Sequence, residues 1–392
     1  MNKQLFTLTF LVFAFGCIKP IELDSIIEHE PTLIIDALLT NELKHHVVKL
    51  SKSIPLDSTE LVKESNAQIK IIDNNNIVYS FSEGEKGVYV SDDLFKAEKN
   101  KKYTLEVITN DGTNYTSNQE EMYGFNTIDE VEIKKENNKF NEEILSIYVK
   151  SDGSNNENAQ YYRYRIEETY KIIAPNWRVL MFDRTKLPEI VTVPNTEFYK
   201  ICYGSDEAKE IIMKETTLLN EKSIEFSIYH LKEDNFKIAH RYSALVKQYV
   251  QSPEAHAYST KVLRNSTSQS LLAQSQPGAL IGNINSDKKV YGYFEVSSVS
   301  EKRMFFNHSD FFEYSERSFS YPEVCGTPYY PALRVRSRYG GYNYPLREAI
   351  ESGDWLYAKE DEIVFGTYHL VKRGCGDCNT YGSNIKPNFW ID

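Results

Sequence analysis

Ala67-Gln-Ile-Lys-Ile-Ile72, Asp73-Asn-Asn-Asn76 and Ile77-Val-Tyr-Ser-Phe81 follow one another without a break and read as strand, turn and strand. Apolar Ile69 and Ile71 alternate with polar Gln68 and Lys70, the two-residue period of a half-buried strand. The Asp/Asn run between the two apolar segments supplies side chains that tolerate tight turns, so a hairpin is expected. Working outward, Thr32-Leu-Ile-Ile-Asp36-Ala-Leu-Leu39 and Val47-Val-Lys-Leu50 precede it. Gly87-Val-Tyr-Val90 and Tyr103-Thr-Leu-Glu-Val-Ile108 follow, and the turn Asn110-Asp-Gly112 leads into Thr113-Asn-Tyr115. Seven or so short strands within about ninety residues, with no helical period, point to an immunoglobulin-like β-sandwich over residues 31–120.

Residues 121–392 read as a larger β-rich domain with a few short helices. Its strands are expected at Ile128 to Ile133, Ile144 to Val149, Ile224 to Tyr229, Tyr242 to Val250 and Val290 to Val296. In Tyr161-Tyr-Arg-Tyr-Arg-Ile166 tyrosine and arginine fall on alternating faces, open to use as a binding face, and the arginines are expected to pair with acidic neighbours across the sheet. Ser252 suits a helix N-cap, Pro253 the first helical position and Glu254 the first turn, so a helix should run through Tyr258 towards Arg264 and stop near Asn265. Gln276 to Asn283 reads as an extended turn, Phe311 to Tyr344 as aromatic and loop-rich with a sharp bend at Gly340-Gly341. Pro345 to Asp354 reads as a short helix and Glu362 to Thr367 as a final strand.

The chain of 392 residues is long enough for more than one domain. Its 28 tyrosines and 20 phenylalanines favour a folded, strand-rich protein, with tyrosine rings buried and their hydroxyls hydrated. A formal charge of -11 argues against nucleic acid as a partner and against docking on an anionic leaflet through a basic patch. Membrane attachment would have to come from lipid. The start of the chain offers it: Met1-Asn2-Lys3-Gln4 is short and basic, Leu5 to Phe15 is an apolar run too short to span a bilayer, and Ala14-Phe15-Gly16-Cys17 closes it. Residues 1–16 therefore read as a lipoprotein signal peptide, Cys17 as the lipidated residue, and residues 17–30 as anchor and acidic tether.

Four cysteines remain, Cys202, Cys325, Cys375 and Cys378. An even set in an exported chain reads as two disulfides, with three possible connectivities. Cys375-Gly-Asp-Cys378 is also open to a redox pair or to half of a zinc tetrathiolate completed by Cys202 and Cys325. His45-His46, His240 and His256 stand in no metal or catalytic spacing, and Glu120-Glu121, Asp92-Asp93 and Asp361-Glu362 read as solvated faces. There is no HExxH, GxSxG or phosphate-cradling loop, so the expectation is no enzyme, no catalytic or metal-binding residue and no cofactor. Asn114, Asn265 and Asn307 open N-x-S/T sequons, read as unmodified loops.

The terminal box at Cys17, the early sandwich, Ser252-Pro-Glu-Ala-His-Ala-Tyr258, Pro277-Gly-Ala-Leu-Ile-Gly-Asn-Ile284, Tyr291-Gly-Tyr-Phe294, Cys375-Gly-Asp-Cys378 and Lys386-Pro-Asn-Phe-Trp390 occur in this order. Together they resemble the Bacteroidota lipoprotein family known as domain of unknown function 4249, over nearly the whole chain beyond Cys17. The resemblance implies an outer-membrane, cell-surface lipoprotein encoded beside a TonB-dependent transporter, and it brings no catalytic residues. The function expected is a non-enzymatic binding or accessory subunit of such a transporter. The alternative is a structural or assembly component of an outer-membrane protein complex.

Overall fold

A computed structural model describes residues 31–54, 62–152, 158–217, 223–267, 280–313, 319–323, 325–326, 328–361 and 366–392. The protein is mainly β, with several sheets and few short helices. Its first strands are β1 (Leu33–Thr40), β2 (Val47–Lys52), β3 (Val62–Lys63), β4 (Gln68–Asp73), β5 (Val78–Glu83), β6 (Val88–Ser91), β7 (Lys102–Ile108), β8 (Asn114–Ser117) and β9 (Glu120–Glu121). The hairpin read from the sequence is β4–β5, with Ile69 opposite Phe81 and Ile72 opposite Val78. Asp73 holds the turn, its carboxylate accepting from the backbone N–H groups of Asn75 and Ile77 at 2.9 Å each, and Asn76 takes a φ of 64°. That left-handed conformation is one asparagine tolerates better than most residues.

The second stretch contributes β10 (Glu130–Asn137), β11 (Glu143–Asp152), β12 (Tyr161–Ile173), β13 (Leu180–Phe182), β14 (Thr192–Pro194), β15 (Ile201–Glu207), β16 (Ile212–Glu215), β17 (Ser223–Lys232) and β18 (Arg241–Val250). Helix α1 (Pro253–Thr267) follows, then β19 (Ile284–Asn285) and β20 (Val290–Asn307). The last elements are β21 (Val335–Arg336), β22 (Tyr342–Asn343), α2 (Pro345–Ser352), β23 (Trp355–Glu360), β24 (Tyr368–Lys372) and the short α3 (Arg373–Gly376). Helix α1 starts as expected, with the Ser252 hydroxyl accepting from the Ala255 N–H at 3.1 Å. Helix α2 ends at Gly353, whose φ of 80° supplies the left-handed cap.

Two cores form. In the first, the order β1-β2-β6-β5-β4-β7-β8-β19 curls until its ends meet. Asn283, beside β19, donates to the Phe294 carbonyl and accepts from the Phe294 N–H, both at 2.9 Å. Ile35, Leu39, Leu50, Ile71, Tyr89 and Leu105 are enclosed. In the second, β12 runs between β15 and β18, and the separate sheet β10-β11-β17 lies over it. Leu145, Ile147 and Ile224 from that upper layer pack with Tyr162, Tyr164, Ile166 and Val246 from the lower one, a two-layer sandwich.

Strand β20 joins the two cores. Its half from Val290 to Ser297 pairs parallel with β1, and the half from Ser298 to Asn307 pairs antiparallel with β18. The sheet begun by residues 31–120 is thus completed by β19 and β20, from far along the chain. Gly292 permits the close approach: a Cβ there would stand 2.2 Å from the Ile35 carbonyl oxygen. The strand expected to end at Val296 continues to Asn307 because its second half finds a new partner. Of the strand expected at Glu362 to Thr367, residues 362–365 lie outside the described residues, and Gly366, with φ 79°, leads into β24.

The tyrosine hydroxyls differ from expectation. Tyr89, Tyr103, Tyr164 and Tyr242 are fully buried, and their hydroxyls bond inside the protein: Tyr164 donates to Gln248 at 2.9 Å and Tyr242 to Glu168 at 2.8 Å. Tyr89 and Tyr103 each accept from a backbone N–H, of Ala67 and Glu98. A phenol satisfied in this way costs little to bury and fills a large volume.

His46 is also internal, 2% exposed, with Nε2 3.0 Å from the Phe95 carbonyl and its ring edge-on to Phe95. Burial, helped by the Lys44 charge, lowers its pKa to about 4. Below about pH 6.5 the unfolded imidazole takes up a proton that the folded one refuses, so stability falls as pH drops from there towards 4. Urea titrations should show His46→Gln losing about 2 to 3 kcal/mol less than the parent between pH 7 and pH 4.5. An unchanged difference would remove His46 from the acid response.

Candidate ligand-binding cleft

Strands β23 and β24 pair antiparallel and form, with α2, a small annex packed against the hairpin β13–β14. The α2 stripe Leu346, Ala349, Ile350 faces inward, and Leu370 is buried beside it. Phe182 meets Tyr357 and Tyr368 edge-on, with ring centroids 5.4 and 5.5 Å apart. Each geometry places a positive ring edge on a negative ring face.

Two disulfides brace this annex. Cys202 of β15 bonds Cys378, and Cys325 bonds Cys375, with Cα atoms 5.5 Å apart in both. The pair in Cys375-Gly-Asp-Cys378 does not close on itself; each cysteine ties the same turn to a different part of the chain. All four thiols are used, so neither the redox pair nor the zinc tetrathiolate open from the sequence is formed. Among the described residues no group of three or more His, Cys, Asp and Glu is placed to hold a metal. The intervening Asp377 is buried and accepts from the Asn379 N–H at 2.9 Å and from Arg373 Nε at 3.2 Å. A Cβ at the buried Gly374 would lie 2.3 Å from the Tyr381 hydroxyl, so a larger residue there would have to displace the Tyr381 ring.

Between the hairpin and the braced turn lies a cleft of about 320 Å³. Phe182, Trp355, Leu356 and Tyr357 give it an apolar, aromatic wall, and Arg178, Arg184 and Arg373 stand around it. Arg178 donates from Nε to the Ala358 carbonyl at 3.1 Å, and Arg373 is paired with Asp377. Asp183 accepts from the Thr185 hydroxyl at 2.6 Å and its N–H at 3.0 Å, which holds its carboxyl below the usual range. Arg184 lies over Gly353 and finds no carboxylate or carbonyl partner among the described residues. An aromatic wall with an available guanidinium suits a small, partly flat molecule bearing a carboxylate or phosphate.

The residues singled out in the sequence are placed elsewhere. Cys17 lies outside the described residues. His46 and His256 are buried, the latter with its ring 5.1 Å from that of Tyr161, while His45 bonds the Ser91 carbonyl at 2.7 Å. Asp92 and Asp93 are exposed, but Glu120 is not a solvated residue: it accepts from Asn283 at 2.7 Å and Tyr293 at 3.0 Å, and burial raises its pKa. The cleft arginines were not legible as a group, since they come from three separate elements.

A family model for a domain of unknown function, DUF4249, matches residues 18–303. The chain belongs to the DUF4249 family. The match is shorter than the resemblance expected from the sequence, ending within β20, so the annex wall of the cleft lies beyond the matched DUF4249 region. No curated protein matches. Among solved structures, one of Escherichia coli alpha-2-macroglobulin activated by porcine elastase is similar at 8% identity and a TM-score of 0.20, over 57% of this chain and 19% of that one. A DUF4785 family protein from Legionella pneumophila is similar at 12% identity and a TM-score of 0.17, over 55% of this chain and 51% of that one. Values that low carry no shared architecture.

In this DUF4249 chain the described residues Gly282, Tyr258 and Tyr291 to Phe294 meet at the seam between its two cores, while residues 277–279 of the same motifs lie outside the described residues. A Cβ at Gly282 would stand 1.7 Å from the Gly292 carbonyl oxygen, and Tyr258 of α1 lies 5.5 Å from Tyr293, ring to ring. Nearby, Glu295 is 6% exposed and accepts from Arg163 at 3.1 Å, Gln251 at 3.0 Å and Ser297 at 2.5 Å. Arg163 is thus the acid-paired arginine expected from the Tyr/Arg alternation, and Arg165 reaches Glu207 at 3.6 Å. The contacts of Glu295 with Arg163 and Gln251 hold the seam closed.

Proposed function

We propose that this chain is a non-enzymatic binding protein, tethered to the outer membrane at the cell surface through lipid on Cys17. In this reading it is an accessory subunit of a TonB-dependent transporter of the Bacteroidota kind. The single observation that carries the binding role is the cleft with its aromatic wall and its available Arg184, fixed in shape by two disulfides. The polar groups around it hold the backbone or one another, an arrangement suited to retention of a ligand. The signal-like start, Cys17 and the resemblance stated above support the location and the partner.

Two measurements test this. Cys17→Ser should move the protein from the membrane fraction to the soluble fraction with its melting temperature unchanged, because the four other cysteines pair among themselves. A variant that stays with the membrane would refute lipid anchoring at this residue. Deleting the gene should lower uptake through a neighbouring transporter, and the transporter should co-purify with the protein. Normal uptake together with co-purification would favour the assembly role instead, and failure of both would sink the transporter reading.

A further inference from the structure

We propose that the hairpin running from Arg334 to Tyr344 is a docking edge for an extended acidic segment of another protein, with carboxylates at every second residue. This goes beyond the cleft and stands whether or not the chain is lipid-anchored. Residues 324–347 carry four arginines and five tyrosines and no carboxylate, in a chain whose formal charge is -11. The basic character is therefore local and set against the charge of the whole.

The register explains how these residues are presented. Val335 pairs with Asn343 and Arg336 with Tyr342, so Arg334 and Arg336 share one face with Tyr342 and Tyr344, and Arg338 stands in the turn beyond them. Arg334 lies over the Tyr342 ring at 5.1 Å, while Arg347, over the Tyr344 ring at 5.2 Å, is ion-paired with Glu351 at 3.3 Å. Tyr339 at the tip is fully exposed, and Tyr342 is 53% exposed. Among the described residues no carboxylate pairs with Arg334, Arg336 or Arg338. Tyrosine and arginine are the side chains that dominate binding energy at protein interfaces, and the tip Ser337 to Asn343 adds the serine, glycine and asparagine of an adaptable contact loop.

The geometry also selects the form of the partner. Arginines two residues apart on a strand are about 7 Å apart, the spacing of carboxylates at alternate positions of an added strand. Strands β21 and β22 pair only with each other among the described residues, so their outer edges offer backbone N–H and C=O groups to such a strand. A groove lined by Pro188, Ile190, Leu333 and Leu346 lies beside Arg334 and Arg347 and can take an apolar side chain of the same segment. A polyanionic saccharide would meet the charges but not the backbone edge.

The test uses the purified soluble chain with Cys17→Ser and a fluorescein-labelled peptide of alternating glutamate and valine. Controls are a peptide of the same composition with its glutamates in one block, an alternating glutamine–valine peptide, and polygalacturonate. The alternating acidic peptide should bind best, more weakly at higher salt. Arg336→Gln should weaken it about fivefold and the three substitutions Arg334→Gln, Arg336→Gln and Arg338→Gln together at least about thirtyfold. An unchanged melting temperature should show that these exposed changes leave the fold intact. Equal binding of the block peptide, stronger binding of polygalacturonate, or no loss in the triple variant would each overturn the proposal.

Discussion

Replacing Lys237 by methionine should lower the free energy of unfolding by about 3 to 5 kcal/mol, the range found when one partner of a buried ion pair is removed. The residue left behind is Glu168, 1% exposed in the second core. Lys237 Nζ stands 2.6 Å from Glu168 and 3.0 Å from Asp206, and the Tyr170 hydroxyl donates to Asp206 at 2.8 Å. Burial opposes the charge on Lys237, but the two carboxylates outweigh it and raise the lysine pKa. Without the ammonium, Glu168 keeps only neutral phenol donors, the hydroxyls of Tyr242 and Tyr229. Adding Glu168→Gln to the methionine variant removes the orphaned charge and should restore a large part of the loss. Urea denaturation at pH 7 measures both, and a loss below about 1 kcal/mol for Lys237→Met would mean the network is solvated.

Removing the bond between Cys202 and Cys378, as the double alanine variant, should cost about 4 to 5 kcal/mol. The two cysteines are 176 residues apart and fully buried, so the bond restrains a long stretch of unfolded chain and its loss also leaves unfilled volume. The Cys325–Cys375 bond spans 50 residues inside that stretch and remains closed in the variant, which trims the effect without cancelling it. Denaturation with alkylation mapping, to confirm that the inner bond persists, gives the value. A loss under about 1 kcal/mol would show that the annex is held by its aromatic packing instead.

How much of this was readable from residues alone depended on whether the signal was local. The β4–β5 hairpin, the α1 start at Ser252 and the α2 start at Pro345 each rest on neighbours in sequence, and each forms where expected. The second half of β20 depends on β18, and β15 and β16 on β12, partners outside their own neighbourhood in sequence that periodicity does not reveal. Four cysteines allowed three pairings because spacing says nothing about which sulfurs meet in space. The cleft needed Arg178, Arg184 and Arg373 to converge, and no local pattern links them. Tyrosine abundance was visible, whereas the internal partners of Tyr164 and Tyr242 were not, since Gln248 and Glu168 lie on other strands or other turns of the register.

The parallel pairing of β1 with β20, beginning at Leu33 against Val290, sets the order in which the molecule can assemble. A chain made from its N-terminus emerges with β1 long before its neighbour exists. One edge of the first sheet must wait, open, until most of the protein has been synthesised, and its final closure is a late, long-range event. Such a chain becomes one body only when β20 takes its place between β1 and β18.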